Sequence, residues 1–402
     1  MKPDKPNSFL DPPSHNMYIR DWRKALRSPP SYRIGNTTFR FHFHFLFIMI
    51  CLATLILLFF YLTPGSRSSY SDNLFEKFHP PAHHRYNYTY PLTAPIISNG
   101  IRSYRFGIIA DLDKESRISG QNEWRSFFKK GYLSYTQSTE AIVVTFDEDP
   151  VVELRNQYSL NGRGMELSEL VTFNGKLLTF DDRTGLIFEL NNEKLTVLSL
   201  LMDGDGKTSK GFKSEWATVK DEVLYVGSMG KEWTTANGDF QNFDPMYVKA
   251  VSMTGEIRHI DWVSNYKKLR EALGIQWPGY MIHESGMWSA IHRKWFFLPR
   301  RCSKNAYNET LDEMMGCNAL ISAEENFTKI KVVLLQDFKP SLGFSSFKFV
   351  PGTDDSVIVA LQTEELNGKT STYITAFTLT GKSLLASERI NTDLKYEGLE
   401  FI

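Results

Sequence analysis

Long stretches of helical periodicity are nearly absent from this 402-residue sequence, which speaks against a helical bundle and against alternating strands and long helices. Asn265–Leu273 is the best candidate for one short helix. Cysteine is scarce as well. Cys51 falls in an apolar run, so Cys302 and Cys317 are the only two left for a disulfide, and the sequence leaves open whether they pair or stay free thiols. No GxSxG elbow, P-loop or HExxH motif occurs. The formal net charge is zero and the large part of the chain carries no polybasic surface, which excludes bulk nucleic-acid binding.

That zero hides an asymmetry. Residues 1–40 hold eight basic residues against Asp4, Asp11 and Asp21, whereas the remainder holds 38 basic and 43 acidic residues. The basic tail precedes an apolar segment, Phe43–Thr63, of 21 residues. As a helix it would reach about 31 Å, enough to span hydrocarbon. Phe59, Phe60, Tyr61 and Leu62 stand where a signal peptide would place small residues for cleavage. Lysine and arginine resist translocation, so the tail is expected to face the cytoplasm and the C-terminal part the lumen. The expected order is a cytoplasmic tail (1–42), a single transmembrane signal anchor (43–63), a lumenal stem (64–103) and a globular domain (104–402). Three glycosylation sequons begin at Asn87, Asn308 and Asn326, all on the expected lumenal side.

Beyond Tyr104 the signals are strands and turns, and aromatic residues make up 14% of the chain, which favours pleated surfaces. Leu170–Phe173, Asn174-Gly175 and Lys176–Phe180 read as a hairpin. This layout recurs. Ser168-Glu169, Ser214-Glu215, Glu284-Ser285, Ser345-Ser346 and Tyr396-Glu397 each precede an apolar strand, at spacings of 46 to 70 residues. That is the scale of a four-stranded blade with insertions. The fifth copy is cut short and needs a partner strand, which the run at Phe106 can supply, closing the ring and removing open edges. The expectation is an all-β, five-bladed β-propeller, preceded by one transmembrane helix.

Several motifs, in order, carry a resemblance to a known family: Ile109-Ala-Asp-Leu-Asp113, Gly162-Arg-Gly-Met-Glu166, Asp181-Asp-Arg183, Gly211-Phe-Lys-Ser-Glu-Trp216, Gly230-Lys-Glu-Trp233, Pro278–Ser285, Phe296–Arg301, Gly343–Phe349 and Lys395–Ile402. Over residues 100–402 the sequence resembles the soluble calcium-activated nucleotidases, which include apyrases of blood-feeding arthropods and an endoplasmic-reticulum/Golgi enzyme of vertebrates. The anchored form looks like the vertebrate enzyme. The resemblance implies Ca²⁺ in the propeller tunnel, held by Ser168, Glu215, Glu284, Ser345 and Glu397 with Glu169 as a sixth contributor. Five pairs starting five innermost strands would converge on one axis, and Ca²⁺ takes about six to eight oxygens in loose geometry.

The implied activity is hydrolysis of nucleoside diphosphates, UDP and GDP ahead of ADP and ATP, at an endoplasmic-reticulum or Golgi membrane, with a released form also allowed. It would serve glycosylation and proteoglycan synthesis. Such chemistry needs carboxylates to position water and cations to hold phosphate oxygens. By resemblance the carboxylates are Asp111, Asp113 and Asp182, with the base among them unassigned. Arg300 and Arg301 are the phosphate clamps, Lys210, Lys213 and Lys231 further cations, and Trp233 a ring for the base. A homodimer is compatible with the sequence.

Two other readings stay open at this point. Asp203-Gly-Asp205 is the Asp-x-Asp of a metal-dependent glycosyltransferase, whose usual topology is also a signal anchor, although that enzyme needs an α/β fold. It is no EF-hand, because Lys207 and Ser214 occupy ligand positions. A non-catalytic binding propeller is the other alternative, since fold alone does not fix function.

Overall fold

Asn174 and Gly175 have φ of 51° and 73°, and between them Leu167–Phe173 turns back into Lys176–Asp181. Two successive positive φ values match the right-handed twist of the flanking strands, which is why Asn-Gly serves here. The computed structural model describes residues 31–34, 37–40, 47–55, 85–148, 150–336 and 339–402. The chain divides into two compact units, Met1–His79 and Pro80–Ile402.

In the first unit, Ser31–Ile34 pairs antiparallel with Thr37–Arg40, and residues 47–55 are helical with most side chains exposed. The remainder of the apolar segment 43–63 and stem residues 64–84 lie outside the described residues. No described helix is long and apolar enough to cross a membrane.

In the second unit the hairpin layout repeats as five antiparallel sheets. Blade I runs outward from Leu167–Phe173, blade II from Trp216–Lys220, blade III from Gly286–Ser289 and blade IV from Leu342–Phe349. Blade V has Tyr396–Phe401 innermost, paired antiparallel with Ile101–Ala110. Phe401 faces Phe106 and Leu399 faces Ile108, so the ring closes as the truncated repeat requires. The five innermost strands touch in ring order, I to II to III to IV to V and back to I.

Innermost strands are covered on both faces, so every residue of Leu167–Phe173, Leu342–Phe349 and Tyr396–Phe401 is buried. Aliphatic and aromatic clusters fill the seams, for example Tyr104, Ile108, Val359 and Leu399 between blades IV and V. The seam between blades II and III is aromatic. Trp216 and Trp262 lie 5.7 Å apart, Trp262 and Trp295 5.0 Å, and the Trp216 indole donates to Tyr266 Oη at 3.1 Å. Buried tilted and edge-on pairs of this kind contribute about 0.5–1.5 kcal/mol each beyond the area they bury.

The short helix forms at Val263–Glu271, shifted by two residues from the sequence expectation. Asp261 accepts the Val263 amide at 2.8 Å and starts it early. Residues 85–90, at the end of the expected stem, lie along the propeller. Asn87 N donates to Asn174 Oδ1 at 2.7 Å and Tyr90 Oη to Glu400 at 3.0 Å. Cys302 and Cys317 are joined, with Cα atoms 5.3 Å apart, closing a loop that carries Tyr307 and Asp312.

Candidate functional site

In an antiparallel blade the start of the innermost strand and the end of its neighbour lie at the same rim. Glu215, Glu284 and Glu397 stand at strand starts, whereas Asp111, Asp182 and Arg300 follow the second strands of blades V, I and III. All six therefore meet at one mouth of the tunnel, around a cavity of about 180 Å³. Eight carboxylates line it: Asp111, Asp113, Asp182, Glu215, Glu284, Asp312, Glu365 and Glu397. Four cations line it with them, Lys213, Arg300, Arg301 and Lys395, while Arg163 and Arg183 reach Asp113 at 3.6 Å and Asp182 at 3.7 Å from outside the lining.

Three of the four bridge several acids. Arg300 reaches Glu397 at 2.9 Å and Glu365 at 2.8 Å, and pairs closely with Glu284. Lys395 reaches Asp111 at 2.9 Å, Asp113 at 2.6 Å, Glu365 at 3.1 Å and Glu397 at 3.4 Å. Lys213 sits against Asp182 and lies 2.5 Å from Glu215. Burial pushes the Glu215 carboxyl up to about 8 and raises Glu284 and Glu397, because the charged form loses water. Burial also opposes the charges on Arg300 and Lys395, but the surrounding carboxylates outweigh it. The Arg300 charge in turn holds Glu365 far below its ordinary range.

Asp182 is 6% exposed, and its Oδ1 has no hydrogen-bond partner. Beside it, Glu166 is held by Arg163 Nε at 2.6 Å and Arg183 Nε at 2.8 Å. Carboxylate oxygens of Asp111, Asp113 and Glu166 lie within 4.8 Å of one another. An unpartnered buried acceptor next to a braced acidic group is suited to orienting a water molecule.

The other sequence candidates take different places. Arg301 is 2% exposed and donates to Ser341 O at 3.3 Å, so it is no solvated strand end. Lys210, Lys231 and Trp233 flank the cavity without lining it. Lys210 pairs with Asp203 at 2.7 Å and lies over Trp233 at 4.3 Å. Lys231 donates to Glu232 O and Thr234 Oγ1, both at 3.0 Å, lies over Tyr307, and is lowered to about 8 by burial. Trp233 packs against Met229, Tyr280 and Ile282. Ser168 Oγ donates to the Ser214 carbonyl and Ser345 Oγ to the Tyr396 carbonyl, each adjoining a glutamate of the next blade. The Glu169 carboxylate turns away from this cavity, to Ser346 Oγ at 2.8 Å and Lys348 Nζ at 3.2 Å.

Lys395, Glu365, Asp312 and Glu166 were not among the sequence candidates. Lys395 directly precedes the Tyr396-Glu397 pair and Glu166 lies in the Gly162–Glu166 motif, so both had a signal. Glu365 and Asp312 arrive from a strand end and a disulfide loop, where no local pattern marks them. The Asp203-Gly-Asp205 loop lies outside the cavity. Lys210 pairs with Asp203, Lys249 with the Gly204 carbonyl, and Lys207 with Asp205. The α/β fold a glycosyltransferase would need is not the one formed here.

The sequence profile of the Apyrase family matches residues 112–402. The chain is 50% identical over 317 residues to soluble calcium-activated nucleotidase 1 of Mus musculus, covering 79% of this chain and 78% of that protein. It is 47% identical over 318 residues to an apyrase of Cimex lectularius, 79% and 87% covered, and 43% identical over 305 residues to apyrase apy-1 of Caenorhabditis elegans, 75% and 85% covered. A propeller mouth crowded with carboxylates and arginine, in a chain so matched, defines a nucleotide phosphohydrolase. The chain belongs to the apyrase family.

Proposed function

We propose that this protein is a calcium-dependent nucleoside diphosphate hydrolase of the secretory lumen, converting UDP and GDP, ahead of ADP and ATP, to monophosphate and phosphate. The observation that carries the reading is the charge imbalance at the mouth, eight carboxylates against four cations. An anionic substrate would be repelled by such a surface unless a cation joined it. The donor set fits Ca²⁺: oxygens from buried Glu215 and Glu397 and partly exposed Glu284, with Ser168 and Ser345 beside them, suit a hard ion taking about six to eight oxygens. Bound there, the ion would add positive charge against the phosphate oxygens and the surrounding acids.

The chain's own residues supply the rest. Arg300 and Lys213 present donors to the oxygens of the terminal phosphoryl group, and Arg301 backs Arg300. Asp182, whose Oδ1 accepts no hydrogen bond and lies 3.7 Å from Arg183 Nε, orients a water molecule opposite the bridging oxygen and takes its proton as the oxygen attacks phosphorus. The bond from phosphorus to the bridging oxygen breaks, and the nucleoside monophosphate leaves with that electron pair. Asp111 and Asp113, held by Lys395, keep the attacking side polar. Lys210, Lys231 and Trp233 are placed to meet the nucleoside, with the aromatic group of Trp233, Tyr280 and Tyr307 beside Ile282 on the cavity wall.

The test is phosphate release from UDP, GDP, ADP and ATP by the full chain, with Ca²⁺, with Mg²⁺ and with chelator. UDP and GDP with Ca²⁺ should exceed the others by about ten- to a hundredfold, the worth of one hydrogen bond to the base edge. Asp182→Asn should lose about 10²–10⁴ in turnover, the usual contribution of a positioned base. Equal rates on UDP and ADP would remove the preference for UDP and GDP and leave the hydrolase. Sugar transfer from a UDP-sugar without phosphate release would remove both.

Lumenal placement rests on the basic tail and the apolar run at Phe43–Thr63. In microsomes, the propeller should resist protease until detergent is added and should carry glycans on its sequons. Digestion without detergent would place it on the cytoplasmic side.

A further inference from the structure

One residue further along the tunnel from the proposed calcium ligands, three innermost strands are tied together. Glu169, directly after Ser168 on blade I, accepts from Ser346 Oγ at 2.8 Å and pairs with Lys348 Nζ at 3.2 Å, both on blade IV. Ser346 directly follows Ser345, and its Oγ accepts the Leu399 amide of blade V at 3.2 Å, two residues past Glu397. Glu169, Ser346 and Lys348 are each no more than 1% exposed. The backbones are close too: a Cβ on Gly398 would lie 2.7 Å from the Glu169 Cα. Contact that tight leaves no room for blades I and V to slide past one another.

The Lys348 ammonium is a fixed cation inside the tunnel, and its charge also acts on the buried Glu400 carboxylate. Glu169 is thus neutralised by a group of the protein itself. The ammonium, the Ser346 hydroxyl and the Leu170 amide at 2.8 Å all converge on Glu169 Oε1, which fixes the orientation of the carboxylate. The groups that would bind a metal ion, Ser168, Ser345 and Glu397, lie one or two residues away along the same strands.

We propose that Glu169, Ser346 and Lys348 form a cross-blade lock that sets the spacing of Ser168, Ser345 and Glu397, so that Glu169 governs calcium affinity as a positioning residue, without touching the ion. This rests on the calcium reading of the mouth. Groups that orient metal ligands are worth about 10–100-fold in metal affinity. Removing one member of a buried ion pair strands the other charge, whereas removing both leaves a neutral, better tolerated pair.

The measurements are calcium titration calorimetry and the calcium midpoint of UDP hydrolysis on the full chain, for Lys348→Met, Glu169→Gln, the double variant, and the uncharged Ser346→Ala. Each charge variant should raise the calcium Kd roughly tenfold or more. The double variant should recover most of that loss, and Ser346→Ala should fold and raise Kd a few-fold. Three results would overturn the lock. Loss of affinity in Glu169→Gln without recovery in the double variant makes Glu169 a direct ligand. Lower melting temperatures with unchanged calcium Kd in all variants make the cluster structural only. Wild-type affinity in Ser346→Ala, should the charge variants not fold, removes the coupling. A wild-type chain that binds no calcium would instead defeat the reading of the mouth itself.

Discussion

Replacing Arg300 by alanine is expected to cut UDP turnover by about a thousandfold or more, the scale on which a single arginine stabilises a phosphoryl transition state. The same substitution is expected to cost stability. Arg300 is 4% exposed and serves Glu284, Glu365 and Glu397 at once, so its loss leaves three carboxylates facing one another. Breaking a buried pair from one side costs about 3–5 kcal/mol. Lysine should rescue little, because a single ammonium cannot reproduce the planar fork that reaches three acids. Steady-state phosphate release and thermal melts, each at saturating calcium, separate the two effects. Turnover within tenfold of wild type in a folded Arg300→Ala protein would take Arg300 out of the chemistry.

The second large effect is calcium removal. An ion that binds only the folded ring stabilises it by about 4 kcal/mol at a thousand times its Kd. Chelation should therefore lower the melting temperature and abolish hydrolysis together. Burial holds Glu215 up near pH 8 and raises Glu284, so the ion must displace protons as it binds. Affinity should accordingly rise with pH across that range. Glu215→Gln and Glu284→Gln should each lose the calcium-dependent gain in melting temperature along with activity. If both variants keep the wild-type calcium response in melts and in turnover, the mouth is not the calcium site.

Much of the architecture was legible because it rests on local chemistry. Asn174-Gly175 marks a hairpin whatever surrounds it, and Ser214-Glu215, Glu284-Ser285 and Tyr396-Glu397 mark the starts of innermost strands, whereas Ser345-Ser346 falls in the middle of Leu342–Phe349. Closure of blade V followed from a repeat that lacked a partner, and Phe401 indeed faces Phe106. Asp111, Asp182, Glu215, Glu284, Glu397 and Arg300 converge because strand starts and second-strand ends share a rim. What local pattern could not give is the traffic between blades. Nothing around Lys348 announces that its ammonium crosses to Glu169, 179 positions away in the chain, and nothing around Glu365 places it against Arg300. Such pairings depend on blade spacing and on which face of a strand points to the axis. The Glu169 carboxylate is the instructive case. Its place in the Ser168-Glu169 pair resembles a ligand, yet in the fold it turns to Lys348 and Ser346.

Blade V joins strands from distant parts of the chain, and the same joint brings Lys395 to Asp111, 284 positions away. Closing so long a loop is slow and entropically costly, so it comes late in folding. The phosphate-binding mouth is therefore incomplete for most of the protein's early life. A nascent chain with four blades formed would hold Glu215 and Glu284 but lack Lys395 and Glu397 beside them. Enzymatic competence arrives in one step with the final strand pairing, which makes activity itself a readout of finished assembly. Hydrolysis would thus be confined to chains that have passed their last folding barrier.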